Sequence, residues 1–312
     1  MKKILVTGGA GFIGSNFIKH MLQKYPEYNI VCYDKLTYAG NKDNLNDVKK
    51  YNNYYFIEGD ICDYDTVRNT IKSLDIDTII NFAAESHVDN SIENSDEFIR
   101  TNITGTHTLL KVMHEIQINK FIQISTDEVY GSLQEGDKPF TEDTPLSPNS
   151  PYAASKASAD ILCKAFHKTY GYPITITRCS NNFGLNQHNE KLIPKLIHNI
   201  REGIKVPIYG DGKNIRDWIH VTDHCEAIDV VLHDGLNGEV YNIGGECEKR
   251  NIEIVDYLLL NFEQSYDLVE YVTDRKGHDW RYSVDISKIK HQLGWTPRVS
   301  FREGMRELMN NR

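Results

Sequence analysis

Three neighbouring residues, Thr126, Asp127 and Glu128, follow the apolar run Phe121–Ser125. Adjacent carboxyls can divide acid and base work when their surroundings push their pKa values apart, leaving one protonated and one ionised. Farther along, Tyr152-Ala-Ala-Ser-Lys156 follows Ser150-Pro151. Serine is a good N-cap and proline suits the first helical position, so Tyr152 and Lys156 fall one turn apart on one helix face. A free phenol, with a pKa of about 10, is a poor base at neutral pH, and a nearby ammonium, together with a positively charged nicotinamide ring, favours its ionised form. Such a pair can take a proton from an alcohol as hydride leaves the carbon. Taken alone, Y-x-x-x-K also describes a surface tyrosine beside a solvated lysine, and two acids after a strand also describe a capped turn.

A hydride needs an acceptor, and the N-terminal segment has the pattern of one. Ile4-Leu-Val-Thr-Gly-Gly-Ala-Gly-Phe-Ile-Gly-Ser15 reads as a strand, a glycine turn and a helix start. Gly8, Gly11 and Gly14 are spaced G-x-x-G-x-x-G, and Gly9, Gly11 and Gly14 also satisfy G-x-G-x-x-G. The glycines permit close backbone approach, and the helix N-terminus offers free N–H groups and a positive dipole end to a pyrophosphate. Asp34, 20 residues after Gly14, stands where an acid accepts from a ribose 2′-OH and repels a 2′-phosphate, which favours NAD over NADP. Lys35 softens that preference. Asp60-Ile61 fits an adenine contact and a plain turn equally well. With a cofactor in place, the Asp127-Glu128 pair implies chemistry beyond alcohol oxidation: taking a proton off carbon and expelling a hydroxyl as water.

The elements that must position these groups alternate. Ile4–Thr7, Ile30–Tyr33, Tyr54–Glu58, Thr78–Phe82, Phe121–Ser125 and Ile174–Arg178 read as strands, with Ser15–Tyr25 and Thr66–Leu74 at helical spacing between them. This rhythm predicts an α/β fold, a Rossmann-type doubly wound parallel sheet, followed by a smaller, irregular α+β substrate domain. The cofactor domain is expected over residues 1–180, with 220–245 rejoining it through a strand at Val240–Ile243, and 181–312 as mainly the substrate domain. Helices are expected at Glu190–Glu202, Asp223–Leu232 and Glu253–Phe262, with turns at Gly210-Asp-Gly212 and Gly244-Gly245.

Composition sets bounds. The 312 residues are 40% apolar and 25% charged, with a net charge of −9. That balance argues against a general nucleic-acid or anionic-membrane surface. No apolar run reaches the length of about 18 residues that spans a membrane, and Lys2-Lys3 leads straight into the first strand, leaving no room for a signal peptide. Six cysteines show neither C-x-x-C nor zinc spacing, which fits reduced thiols in a cytoplasm. His220 and His224 have i, i+4 spacing but no third ligand, so no metal is expected.

Several segments together resemble the extended short-chain dehydrogenase/reductases, the NAD-dependent sugar-nucleotide epimerase/dehydratase family. They are Thr7-Gly-Gly-Ala-Gly-Phe-Ile-Gly14, Ala83-Ala-Glu-Ser-His-Val-Asp89, Ser125-Thr-Asp-Glu-Val-Tyr-Gly131, Tyr152-Ala-Ala-Ser-Lys156, Tyr209-Gly-Asp-Gly-Lys-Asn-Ile-Arg-Asp-Trp218 and Tyr241-Asn-Ile-Gly-Gly245. The Thr-Asp-Glu triplet is similar to that of the 4,6-dehydratases acting on dTDP-glucose, since the family's epimerases usually differ there. The resemblance implies a lyase with tightly bound NAD and a 4-keto-6-deoxy sugar nucleotide as product. It implies that Thr126 bonds the sugar O4, Asp127 is the acid, Glu128 the base, and Tyr152 with Lys156 the oxidation pair. It implies cofactor contacts from Gly8, Gly11, Phe12, Ile13, Gly14, Asp34, Lys35, Leu36, Thr37, Asp60, Ile61, Phe82, Ala83, Ala84, Glu85, Ser86, Thr101, Tyr152, Lys156 and Asn182. Substrate contacts are implied for Ser86, Thr126, Asn181, Lys191, Leu192, Pro207, Ile208, Tyr209, Arg216, Asn251, Arg275 and His278, with Arg216 and Arg275 suited to clamp a pyrophosphate. The chain departs from the family pattern at Phe183, Leu185 and Lys276. A homodimer built on helices Asn102–Glu115 and Tyr152–Thr169 is implied as well. An epimerase, a decarboxylase, a UDP-sugar dehydratase and a non-catalytic NAD-sensing protein are the alternatives on the same fold. Thymine and uracil differ by one methyl, worth about 1–3 kcal/mol in an apolar pocket, and the sequence does not choose between them.

Overall fold

A computed structural model describes residues 2–274 and 277–311. Its strands in chain order are β1 Lys3–Thr7, β2 Asn29–Asp34, β3 Tyr54–Glu58, β4 Thr78–Asn81, β5 Lys120–Thr126, β6 Ile174–Cys179, β7 Asn181–Phe183, β8 Val206–Tyr209, β9 Ile215–His220, β10 Val240–Ile243, β11 Glu248–Arg250 and β12 Val269–Val272. Seven form one sheet in the order β10-β6-β5-β4-β1-β2-β3, and every pairing in it is parallel.

Burial on both faces explains the near-continuous apolar strands. In β1, Ile4 and Val6 join the core on one face of the sheet while Leu5 joins the core on the other. Ile79 and Ile80 of β4, and Phe121 and Ile122 of β5, divide the same way, as alternate side chains of a parallel strand must. The order reverses at β1, which lies between β4 and β2. At such a switch point the following connections leave to opposite faces and a crevice opens beyond the strand carboxyl ends.

The chain after β6 is less irregular than its sequence suggests. β7, β9 and β11 form a three-stranded sheet and β8 pairs in parallel with β12. None of these strands stood out in the sequence; apart from β9 they have only three or four residues, which carry too little periodicity. A third core covers them, built from Phe183, Trp218 and apolar residues of the helices Leu192–Arg201, Asn251–Asn261 and Phe301–Asn311. The segment expected as one helix at Asn102–Glu115 begins instead with a π-helical stretch, Ile99–Gly105, before the α-helix Thr106–Ile116.

The helix after the glycine turn, Phe12–Lys24, is pinned to the helix Val221–Asp234 by one buried carboxylate. Asp229 meets His20 Nε2 at 2.8 Å, Lys24 Nζ at 2.7 Å, Tyr25 OH at 3.0 Å and His233 Nδ1 at 2.9 Å. Burial alone would raise the Asp229 pKa, but its bonds to His20, His233 and Lys24 outweigh this and hold the carboxyl far below its usual range. A depressed carboxylate stabilises the fold fully above its unfolded value of about 3.9 and loses that contribution as pH falls toward the folded value. Asp229→Asn is therefore expected to lower stability near neutral pH by about 2 kcal/mol, discounted because its partners are partly exposed. Urea unfolding should show this deficit shrinking as the pH falls below about 4. An equal deficit at both pH values would sink the assignment.

Candidate active site

The crevice at the switch point encloses a cavity of about 320 Å³, within the range of ligand sites. Its floor is the glycine turn. Gly8 has φ +65°, and a Cβ there would lie 2.6 Å from the Ala83 nitrogen. A Cβ on Gly14 would meet the Gly8 carbonyl oxygen at 2.4 Å. The protein's own backbone thus demands those two glycines. Gly11 differs: a Cβ there would meet only the Gly8 oxygen, at 3.2 Å. Its missing side chain leaves a cradle at the start of the Phe12–Lys24 helix, where no side chain caps the first N–H groups. This is the space and donor set a pyrophosphate needs.

Asp34 ends β2 with both oxygens oriented: Oδ2 accepts from Ala10 N–H at 2.9 Å and Oδ1 from Leu36 N–H at 2.8 Å. Lys35 is paired at the cavity wall, its Nζ 3.1 Å from Asp60, which Arg100 also holds at 2.6 Å. Burial would raise Asp60, but Cys62 N–H, Arg100 and Lys35 bring it down to about 2. The lysine expected to soften the choice against a 2′-phosphate is therefore already neutralised.

The expected cofactor residues line this cavity, except Leu36, which packs behind it against the core. Thr101 reaches it from the π-helical stretch. Asn182 is fixed from beneath: its Oδ1 bonds His224 Nδ1 at 2.8 Å and its Nδ2 donates to Ser180 O at 3.0 Å. Burial pushes His224 down to about 3, so this histidine is a neutral buried donor. His220 faces Glu307 at 3.1 Å. Among the described residues no group of side chains could hold a metal ion.

At the far end, β5 delivers Thr126 and a 3-10 turn, Asp127–Tyr130, delivers the acids. Thr126 caps the turn, accepting from Glu128 N–H at 3.3 Å and donating to Asp127 Oδ1 at 3.2 Å. Asp127 is 2% exposed and its Oδ2 has no protein partner. Burial, then Glu128 and Asp217, push its pKa well above the usual value. Glu128 is half-buried and lines the cavity. Tyr152 and Lys156 face the same space from the helix Pro151–Tyr170, capped by Ser150 as its sequence predicts.

Tyr152 is pushed up, first by burial and then by Glu128, Cys179 and Asp127. Lys156 spends a proton on the Ile124 carbonyl, 2.6 Å away, and burial lowers its own pKa. Burial and the neighbouring acids therefore favour the protonated phenol.

Of the expected substrate residues, Ser86, Thr126, Asn181 and Lys191 line the cavity. Lys191 Nζ donates to Ser86 O at 2.9 Å. Leu192, Pro207, Ile208, Tyr209, Arg216, Asn251 and His278 lie outside it in the smaller domain, and Arg275 and Lys276 lie outside the described residues. Arg216 donates to the carbonyls of Ile215 at 2.7 Å and Asp279 at 3.0 Å, with its guanidinium 4.3 Å from the Tyr282 ring centre. His278 meets the Tyr209 ring edge-on, with centres 6.5 Å apart. Phe183 is fully buried against Trp218 and His220, and Leu185 packs on the same core. Their departure from the family pattern thus falls in the core rather than on the cavity wall. Sequence reading missed Tyr282, whose phenol burial and Glu128 push up. It also missed Glu190, placed 3.6 Å from His87 and 3.7 Å from Lys191 at the cavity mouth. Only its position beside Lys191 could have flagged Glu190.

A doubly wound sheet with a dinucleotide cradle and a Tyr/Lys pair on one crevice defines an extended short-chain dehydrogenase/reductase. The family model described as GDP-mannose 4,6 dehydratase matches residues 5–308, and the chain belongs to that nucleotide-sugar dehydratase family. It is 50% identical to the low-salt glycan biosynthesis protein of Haloferax volcanii over 97% of this chain and 96% of the relative. It is 47% identical to the dTDP-glucose 4,6-dehydratase of Streptomyces niveus, over 98% and 91%. A crystal structure of dTDP-glucose 4,6-dehydratase from Bacillus anthracis in complex with NAD superposes with a TM-score of 0.93 at 50% identity, covering 99% of this chain and 96% of that one.

Asp34→Ala removes the acceptor at the β2 end. We expect NAD to bind about tenfold more weakly, the loss of one hydrogen bond to a charged group, and discrimination against NADP to shrink, both measured by calorimetry. Unchanged discrimination would show that the ribose lies elsewhere.

Proposed function

We propose that this protein is a lyase that converts dTDP-glucose to dTDP-4-keto-6-deoxyglucose and water with tightly bound NAD. The observation that carries the reading is Asp127: a buried carboxyl beside Glu128, its pKa pushed up by burial and that neighbour, on the crevice that also holds Tyr152 and Lys156. Oxidation alone requires no such acid. The names of full-length relatives at 46–50% identity favour dTDP-glucose, whereas the family model's description carries a GDP sugar.

The residues that would hold NAD are the Gly8–Gly14 turn, Asp34, Phe82–Ser86, Thr101 and Asn182. When bound there, NAD would supply a reversible hydride acceptor, and its positive ring would supply the charge that lowers the Tyr152 phenol. Thr126 orients the sugar O4, and Tyr152 takes the O4 proton. The C4 ketone acidifies the C5 hydrogen, and Glu128 removes it. Asp127 protonates the C6 hydroxyl, which leaves as water as the C5–C6 double bond forms. Glu128 returns a proton to C5 as C6 is reduced, and the proton Tyr152 took from O4 balances the one Asp127 gave to the leaving hydroxyl, so the sequence is redox-neutral and loses only water.

Residues 1–180 with 220–245 serve the cofactor and 181–312 mainly the sugar nucleotide, with Arg216 and His278 toward the diphosphate. The protein works as a cytoplasmic homodimer. Ile161 and Tyr170, 58% and 51% exposed on the Pro151–Tyr170 helix, support a partner surface there.

Incubation with dTDP-glucose should give a product lighter by one water. Asp127→Asn and Glu128→Gln should each slow its formation by about 10²–10⁴-fold, while bound NAD is still reduced faster than in Tyr152→Phe. Equal loss of cofactor reduction in all three variants would defeat the role assignment.

A further inference from the structure

Among the described residues, Arg178 on β6 is the largest side chain with no exposed surface. It stands opposite Ser125 in the β5–β6 register, one residue before the Thr126-Asp127-Glu128 triplet. Its Nε donates to Asp160 Oδ2 at 2.9 Å. Asp160, also fully buried, lies on the Pro151–Tyr170 helix one turn beyond Lys156 and two turns beyond Tyr152. Arg178 Nη1 donates to Tyr130 OH at 2.9 Å, and the guanidinium lies 4.8 Å from the Tyr130 ring centre. Tyr130 closes the 3-10 turn that carries Asp127 and Glu128, and its hydroxyl donates to Asn242 Oδ1 on β10 at 2.7 Å. One guanidinium therefore grips both the helix of the oxidation pair and the turn of the acid/base pair.

Stability does not explain this arrangement. Burying an ion pair costs so much desolvation that well-packed apolar groups often serve as well. Here Arg178 Nη2 and Asp160 Oδ1 lack protein partners, so the pair is not even fully hydrogen-bonded. Fixed charge and fixed separation are what it supplies instead. Lys156 is surrounded by Asp160 and Cys163 on its own helix and Cys179 on β6, and Asp160 is the first of these to oppose the downward push of burial.

Resting on the dehydratase reading above, we infer that Arg178 is a positioning residue that holds the Tyr152/Lys156 helix and the Asp127/Glu128 turn in one register, so that a single sugar pose serves both oxidation at C4 and elimination across C5–C6. Its two arms do different work. The Tyr130 arm aims the acids. The Asp160 arm aims the oxidation pair and keeps Lys156 charged.

The test cuts each arm separately. Tyr130→Phe keeps the ring and removes the hydroxyl; Asp160→Asn keeps the shape and removes the charge. In single turnovers with dTDP-glucose, Tyr130→Phe should reduce bound NAD within about twofold of the wild-type rate yet form dehydrated product about tenfold or more slowly, so that NADH accumulates. Asp160→Asn should reduce NAD slowly without NADH accumulation. A readout independent of turnover uses ¹³C-lysine NMR, with the Lys156 signal assigned by its loss in Lys156→Met. The Lys156 titration should fall by about one pH unit in Asp160→Asn and stay in place in Tyr130→Phe. The inference is overturned if both variants slow the two steps by one common factor, as a loosened core would, or if neither step changes. If wild-type protein forms no dehydrated product, the dehydratase reading fails first, while the NMR titration still reports on the Asp160 arm.

Discussion

The reactive groups hang from the carboxyl ends of neighbouring parallel strands, and a buried polar chain holds three of those ends level. Thr7 Oγ1 of β1 donates to Asn81 Oδ1 of β4 at 2.6 Å, and Asn81 Nδ2 donates to Gln123 Oε1 of β5 at 2.9 Å. All three residues are buried, so a slipped register would strand unpaired amides in the core. With register locked, β1 presents the glycine turn, β4 the Phe82–Ser86 loop and β5 the Thr126 triplet to one crevice. Asn102 extends the lock, bonding Glu85 N–H at 2.9 Å and donating to Ser155 Oγ on the Tyr152 helix at 2.8 Å.

Water exclusion then sets the chemistry. The same desolvation raises Asp127, raises Tyr152 and lowers Lys156, driving each group toward its neutral form. For Asp127 that is the useful form, since a proton donor must hold its proton. For Tyr152 it is an obstacle that a cation must offset. The Arg178–Asp160 pair lies one shell behind and adds a fixed charge pair beside Lys156 without exposing either member to solvent. Thus a single crevice holds an acid ready to donate and a phenol that ionises only when positive charge arrives.

Much of this was legible in the residues themselves. β1 through β6 sit where their β-branched runs placed them, to within a residue or two, because a strand buried on both faces must be apolar throughout. Val240–Ile243 was recognisable as a strand, and only its pairing with β6 at the sheet edge was hidden. The smaller domain resisted reading because β7, β8, β11 and β12 have three or four residues each, and their stability comes from a shared core rather than from local pattern. The π-helical stretch at Ile99–Gly105 has no signature in propensity, which scores it as ordinary helix.

By itself the sequence determined the residue types, their order and the local geometry that follows: a glycine turn before a helix, an acid at a strand end, Tyr152 and Lys156 one turn apart, two carboxyls side by side. Those depend on neighbours in the chain, whose spacing covalent geometry dictates. Tertiary structure alone decided the charge states and partnerships. Lys35 is neutralised by Asp60, from another strand end. Lys156 turns to a carbonyl of β5, Arg178 joins residues 18 and 48 positions away, and Asp127 loses its solvent. Electrostatic energy depends on distance and on exclusion of water, and both are properties of the folded crevice that no stretch of sequence carries alone.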